Sequence, residues 1–205
     1  MLKRIVASAI VVAVTTTMLG AQTIPASPEG KAQVQVGYTS AKDGDAYQTG
    51  KWVEITYGRP ILRGRDGIFG AGAEYGKTLN GGAPVWRAGA NVTTRLRTET
   101  ALVIGGKTVP AGEYSVFIEL KENAWTLILS NWAAQKTYDP KNMAELWGSY
   151  NYTPEKDVVR VPMVRSKNAM SIEQLTWTFA NASAAGGDLV IMWGKEVASV
   201  PFKLG

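Results

Sequence analysis

The sequence predicts an all-β fold, an antiparallel β-sandwich of jelly-roll-like form with about nine or ten strands and a long Gly-rich packed loop. Apolar side chains recur at every second position: Val53, Ile55 and Tyr57 share one strand face, as do Tyr114, Val116 and Ile118, and Trp125, Leu127 and Leu129. Turn-forming residues separate the runs, at Gly105-Gly106, Pro110-Ala111-Gly112, Glu122-Asn123, Gly186-Gly187 and Gly194-Lys195. The 3.6-residue period of an amphipathic helix is nearly absent.

The first strand is read over Gln33–Tyr38 and the second over Trp52–Tyr57, with a turn at Lys42-Asp43-Gly44-Asp45 between them. Further on, Leu175, Trp177 and Phe179 share a face, as do Leu189, Ile191 and Trp193, and runs over 158–164 and 197–202 complete the set. A short helical turn is expected near 142–146. A closed barrel of about eight to ten strands is the alternative architecture.

The amino terminus carries Lys3 and Arg4, an apolar stretch from Ile5 to Leu19, and Gly20-Ala21-Gln22. This is the three-part secretory pattern, with cleavage expected after Ala21. The apolar stretch falls short of the ~20 residues that span a bilayer, which disfavours a membrane anchor, and no later segment is apolar enough to cross one. The chain therefore divides into a signal peptide (1–21), a lead-in (22–32) and a single domain (33–205), and is expected to be exported, to the periplasm or outside the cell. Removing the 21 signal residues from 205 leaves 184, enough for one well-buried core.

With Cys 0 and His 0, the chain offers no thiolate nucleophile, disulfide, Cys/His zinc site or histidine triad. The formal charge of +5 falls to +3 once Lys3 and Arg4 are subtracted. No run of basic residues accompanies it, so nucleic acid is not an expected partner. No cofactor is expected: Gly70 to Gly76 is one residue off a dinucleotide fingerprint and has no βαβ unit around it. No metal site is read either, since Asp43-Gly44-Asp45 is too short for a calcium loop.

From Gly58 to Asn91 the alternation stops, and nine of the 22 glycines fall there. Ile61, Leu62, Ile68, Phe69, Val85 and Trp86 in the same stretch argue for a packed loop rather than a loose one. It holds the densest polar constellation, Arg59, Arg63, Arg65 and Asp66, followed by Trp86, Arg87 and Asn91. Arginine forks suit anions, and glycines let backbone amides approach a ligand. One reading makes Arg59, Arg63, Arg65, Arg87 and Asn91 the floor of a ligand site with Trp86 as a stacking wall. The other has the arginines pair internally with carboxylates such as Glu54 or Asp157 to pin the loop to the sheet, with Asp66 and Arg160 as further ion-pair residues. No catalytic residue is assigned, although a pair of converging carboxylates could hydrolyse a glycoside.

The residues also resemble the bacterial domain-of-unknown-function family 2911. The resemblance rests on Ile55-Thr-Tyr-Gly-Arg-Pro60, Arg63-Gly-Arg65 with Ile68-Phe-Gly70, Val85-Trp-Arg-Ala-Gly-Ala-Asn91 and Pro110-Ala-Gly-Glu-Tyr-Ser115. Trp147-Gly148, Lys156-Asp-Val-Val-Arg160 and Leu175-Thr-Trp-Thr-Phe179 extend it over nearly all of the chain after the signal. It implies an exported, β-rich bacterial protein and supplies no activity. The functions that remain are a binding module for a small anionic or carbohydrate ligand, a structural or interaction protein of the envelope, and a carboxylate-dependent hydrolase.

Overall fold

A computed structural model describes residues 25–39 and 49–205. The expected signal peptide and the expected turn at Asp43 lie outside the described residues. Twelve strands follow along the described chain: β1 (Glu29–Val36), β2 (Lys51–Gly58), β3 (Thr94–Thr98), β4 (Leu102–Ile104), β5 (Lys107–Val109), β6 (Gly112–Lys121), β7 (Ala124–Ser130), β8 (Ala133–Ala134), β9 (Glu145–Leu146), β10 (Asp157–Pro162), β11 (Val164–Ser183) and β12 (Gly186–Leu204). The first strand starts at Glu29, inside the expected lead-in. One four-residue helix, α1 (Lys77–Asn80), sits in the glycine-rich excursion.

Six strands form one antiparallel sheet in the order β1-β2-β3-β6-β7-β10, and four form a second in the order β11-β12-β4-β5. Both sheets keep free edges, so the barrel alternative does not form. The period-two residues meet where the sheets face each other: Val53, Ile55, Leu96, Val116, Ile118, Leu127 and Leu129 from the first pack with Leu175, Trp177, Leu189, Ile191 and Val200 from the second. Two of the expected turns close tight hairpins. Gly105 and Gly106, both at positive φ, join β4 to β5, and Glu122-Asn123 joins β6 to β7.

Two turn readings are corrected. The β11–β12 hairpin reverses at Ala184-Ala185, with Ser183 paired to Gly186, so Gly187 is already within a strand. Gly194-Lys195 does not end a strand either; β12 runs through it, with Gly194 at φ 59 marking an irregularity in the ladder. The helical turn expected near 142–146 is replaced by β9, which pairs in parallel with β8.

The central strands are covered on both faces. Phe117 and Ile128, out of phase with the main core, form a second core with Val85, Leu146 and Tyr152. This smaller core holds the excursion over 131–156 against the outer face of the six-stranded sheet.

Candidate functional site

The glycine-rich excursion is packed, as its apolar content implies. Trp86 exchanges two backbone hydrogen bonds with Ile118 (both 2.9 Å), which continues the pairing of β6 beyond the end of β3. Its side chain is 1% exposed, stacked on Trp193 and edge-on to Phe69 and Trp125. Trp86 is therefore a core residue, with no face left for a sugar.

The guanidinium groups of Arg65 and Arg87 are engaged by the protein itself, whereas Arg63 is exposed and fixed through its backbone. Arg65 donates from Nε to the Leu62 carbonyl (2.8 Å) and from Nη2 to the Ile61 carbonyl (2.6 Å), so its fork closes on its own turn. Arg63, at φ 51, is held by its backbone N–H, which donates to Glu173 Oε1. The Arg59 stem crosses β1 over Gly30, where any Cβ would overlap it, and its Nε is buried without a partner. Arg87 donates to the Asn91 carbonyl (2.5 Å), lies over the Tyr150 ring and fills the space where a Cβ on Gly148 would be. Asn91, at φ 61, donates to the Ser27 carbonyl.

Neither carboxylate named as a partner for these arginines takes that role. Glu54 pairs with Lys31 (3.0 Å) and accepts from Gln33. Asp157 pairs with Arg160 (2.8 Å) and accepts from the Tyr152 hydroxyl, while the other arm of Arg160 reaches Glu119 (2.6 Å). The loop is pinned instead by bonds from side chains to backbone. The Trp177 indole donates to the Ala88 carbonyl (2.8 Å), and Gly58 packs so closely on Ala90 that a Cβ would strike its carbonyl.

A larger cleft lies elsewhere, and its origin is a mismatch in the β11–β12 ladder. Lys167 pairs with Glu196 and Ile172 with Gly194, so 168–171 form an arch opposite Lys195 alone. That arch, the loop around Phe69 and Tyr75, and the Glu122-Asn123 turn enclose about 710 Å³. Of the candidate site and ion-pair residues read from the sequence, Asp66 alone lines it. Trp193 and Phe69 lie at its base, backed by Trp86.

Inside the cleft, Arg165 stacks over Trp125 and donates to Glu196 (2.9 Å), to the Glu122 carbonyl and to the Tyr75 hydroxyl (3.3 Å). The Trp125 indole also donates to that hydroxyl, at 2.9 Å. Burial raises the Tyr75 pKa above the ordinary tyrosine value, outweighing the opposite pull of the Trp125 N–H and Arg165. Tyr75 thus keeps its proton at neutral pH, and its hydroxyl, which accepts twice, has no acceptor of its own among the described residues. The carboxylates are largely engaged: Glu196 by Arg165 and Lys167, and Glu122 by the Gly72 N–H. Lys195, also in the lining, has no ion pair among the described residues.

Sequence reasoning did not find Tyr75, Arg165 or Lys195. Their signal was present in Gly194-Lys195, a turn-like pair in a run that otherwise alternates, and in Arg165 and Lys167 on one strand face. Among the described residues, no group of three or more metal-ligating side chains could hold an ion. Glu54 and Glu119 have their pKa values lowered, against burial, by hydrogen bonds from Lys31 and Lys121 respectively; a general acid at neutral pH needs the opposite shift. A family model described as "Protein of unknown function (DUF2911)" matches residues 40–202. No curated protein and no solved structure matches the chain.

Proposed function

We propose that this chain, which belongs to the DUF2911 family of proteins of unknown function, is a binding module that takes a small anionic ligand into the cleft under the β11 arch. The observation that carries the reading is Tyr75, whose hydroxyl accepts from Trp125 and Arg165 and so offers its proton to whatever enters. What the cleft has unspent is mainly donor capacity, the Tyr75 O–H and the Lys195 ammonium, because two of its three carboxylates are engaged. Asp66 keeps acceptor capacity in the lining, but a phenol O–H and an ammonium that lack partners call for a carboxylate or phosphate oxygen rather than a cation. With the amino-terminal pattern read as a secretory signal, the ligand is one met outside the cytoplasm.

The test is a thermal-shift screen of the mature chain against neutral sugars, uronic acids and phosphate esters, followed by calorimetry on the hits. Acidic compounds should raise Tm. Tyr75→Phe and Lys195→Ala should each weaken the best hit by roughly tenfold, the value of one hydrogen bond to a charged acceptor. An acid bound equally well by the parent and both variants would show that the cleft is not the site.

A further inference from the structure

A second surface carries a different chemistry. On the excursion over 131–156, Tyr138 and Tyr150 are 56% and 45% exposed, and Tyr138 packs beside Trp147 with ring centroids 5.7 Å apart at 53°. These three rings border a depression of about 240 Å³, with Asp139, Glu145 and Asn151 also in its lining. It is smaller than the ~300–1,000 Å³ of a drug-sized pocket. Such a space suits one ring of a larger molecule.

The loop that carries these rings is braced by hydrogen bonds although the rings face water. Gln135, buried beneath them, donates from Nε2 toward the carbonyls of Asp139, Asn142 and Glu145 and accepts the Asp139 N–H at Oε1. Leu146 is wholly buried in the second core, and the Thr93 hydroxyl lies 2.9 Å from the carbonyls of both Leu146 and Gly148. Arg87 supports Tyr150 from one side at 5.4 Å. A loop built this firmly does not need to order itself when a ligand arrives.

We propose that Tyr138, Trp147 and Tyr150 form a shelf that binds a neutral carbohydrate, with Asp139, Glu145 and Asn151 receiving its hydroxyl protons. The C–H face of a sugar ring lies on aromatic rings, and its hydroxyls both donate and accept. The polar groups left over match that need. Asp139 uses one carboxylate oxygen on the Lys141 N–H, and Glu145 uses one on Asn142, so each keeps an oxygen to accept. Asn151 spends only its amide N–H, on Met143 Sδ. No lysine or arginine lines the depression, which sets it apart from the cleft and leaves an anion without a partner. The Tyr138 and Trp147 rings touch each other rather than standing apart around a gap, which is a shelf and not a cage for an ammonium group. This site does not depend on the reading of the cleft.

The experiment titrates the mature chain with soluble neutral oligosaccharides of the gluco-, xylo- and chito- series, following tryptophan fluorescence and calorimetry. A member of one series should bind, with Trp147→Ala and Tyr138→Ala each lowering affinity at least tenfold. Tyr75→Phe, in the cleft, should leave that affinity unchanged. Tyr138→Ala should keep the parent Tm, since its ring is exposed, which separates lost binding from lost folding. The proposal is overturned if no neutral glycan binds, or if binding survives both substitutions. It is equally overturned if sedimentation shows a dimer that Tyr138→Ala dissolves, since the rings would then be covered by a second copy.

Discussion

Trp86 lies nearly parallel to Trp193, ring centroids 6.2 Å apart and 17° between planes, so a residue of the long excursion supports a strand residue at the base of the cleft. The excursion is thereby part of the sandwich core. Trp86→Ala should cost about 3–5 kcal/mol, as deletion of a buried aromatic does. Urea denaturation with an unchanged m-value checks this; a loss under 1 kcal/mol would mean the ring is not packed as described.

Gly58 and Gly64 should respond oppositely to the usual expectation that a positive-φ glycine is the sensitive one. Gly58 has ordinary φ, yet a Cβ would strike the Ala90 carbonyl; Gly64, at φ 74, faces open space. Gly64→Ala should cost about 1 kcal/mol of backbone strain. Gly58→Ala, which must move one backbone off another, should cost about 3 kcal/mol or more. Thermal denaturation of the pair gives the order directly.

Arg65→Ala removes two hydrogen bonds to carbonyls of its own turn and should cost about 1–2 kcal/mol. Ligand affinity in the cleft should not change, since Arg65 does not line it. Calorimetry on a cleft ligand decides the matter: a tenfold loss would return Arg65 to the binding surface.

Glu119 gives a pH signature. Hydrogen bonding from Lys121, joined by Arg160, holds its carboxyl below the ordinary glutamate value against the opposing effect of burial. A folded pKa below the unfolded one stabilises fully above the unfolded value, about 4.3, and the contribution is lost as pH falls through the folded value. Glu119→Gln should therefore cost about 0.5–1 kcal/mol at pH ~7, where the pair is partly exposed, and nothing near pH ~2. Denaturation curves at the two pH values should converge at the acid end.

Export has its own check. Expression in a bacterium with an envelope should yield a processed chain whose amino-terminal residue is Gln22, read by mass spectrometry. Full-length protein in the membrane fraction would overturn the signal reading.

The strands were legible because their period of two is a local property: Val53, Ile55, Leu127, Leu175 and Trp193 need only their own neighbours to declare a face. Phe117 and Ile128 were readable in principle, since each puts a large apolar residue on the supposedly wet face, which means that something covers it. The arginines misled because composition shows that forks are present and not where they point; Arg65 bonds its own turn four residues back. The cleft was invisible for a different reason. It exists because Lys167 and Ile172 pair with residues only two apart, and register between two strands is a long-range fact that neither strand encodes alone.

The arch at 168–171 has an evolutionary consequence. In an ordinary ladder, inserting one residue reverses every side chain beyond it, so strands resist changes of length. Here the register shifts twice, between Lys167 and Ile172 and again between Ile172 and Thr176, and continuous pairing resumes at Thr176. A change in the length or sequence of 168–171 in the course of evolution would therefore leave Leu175 and Trp177 facing inward, with the frame undisturbed.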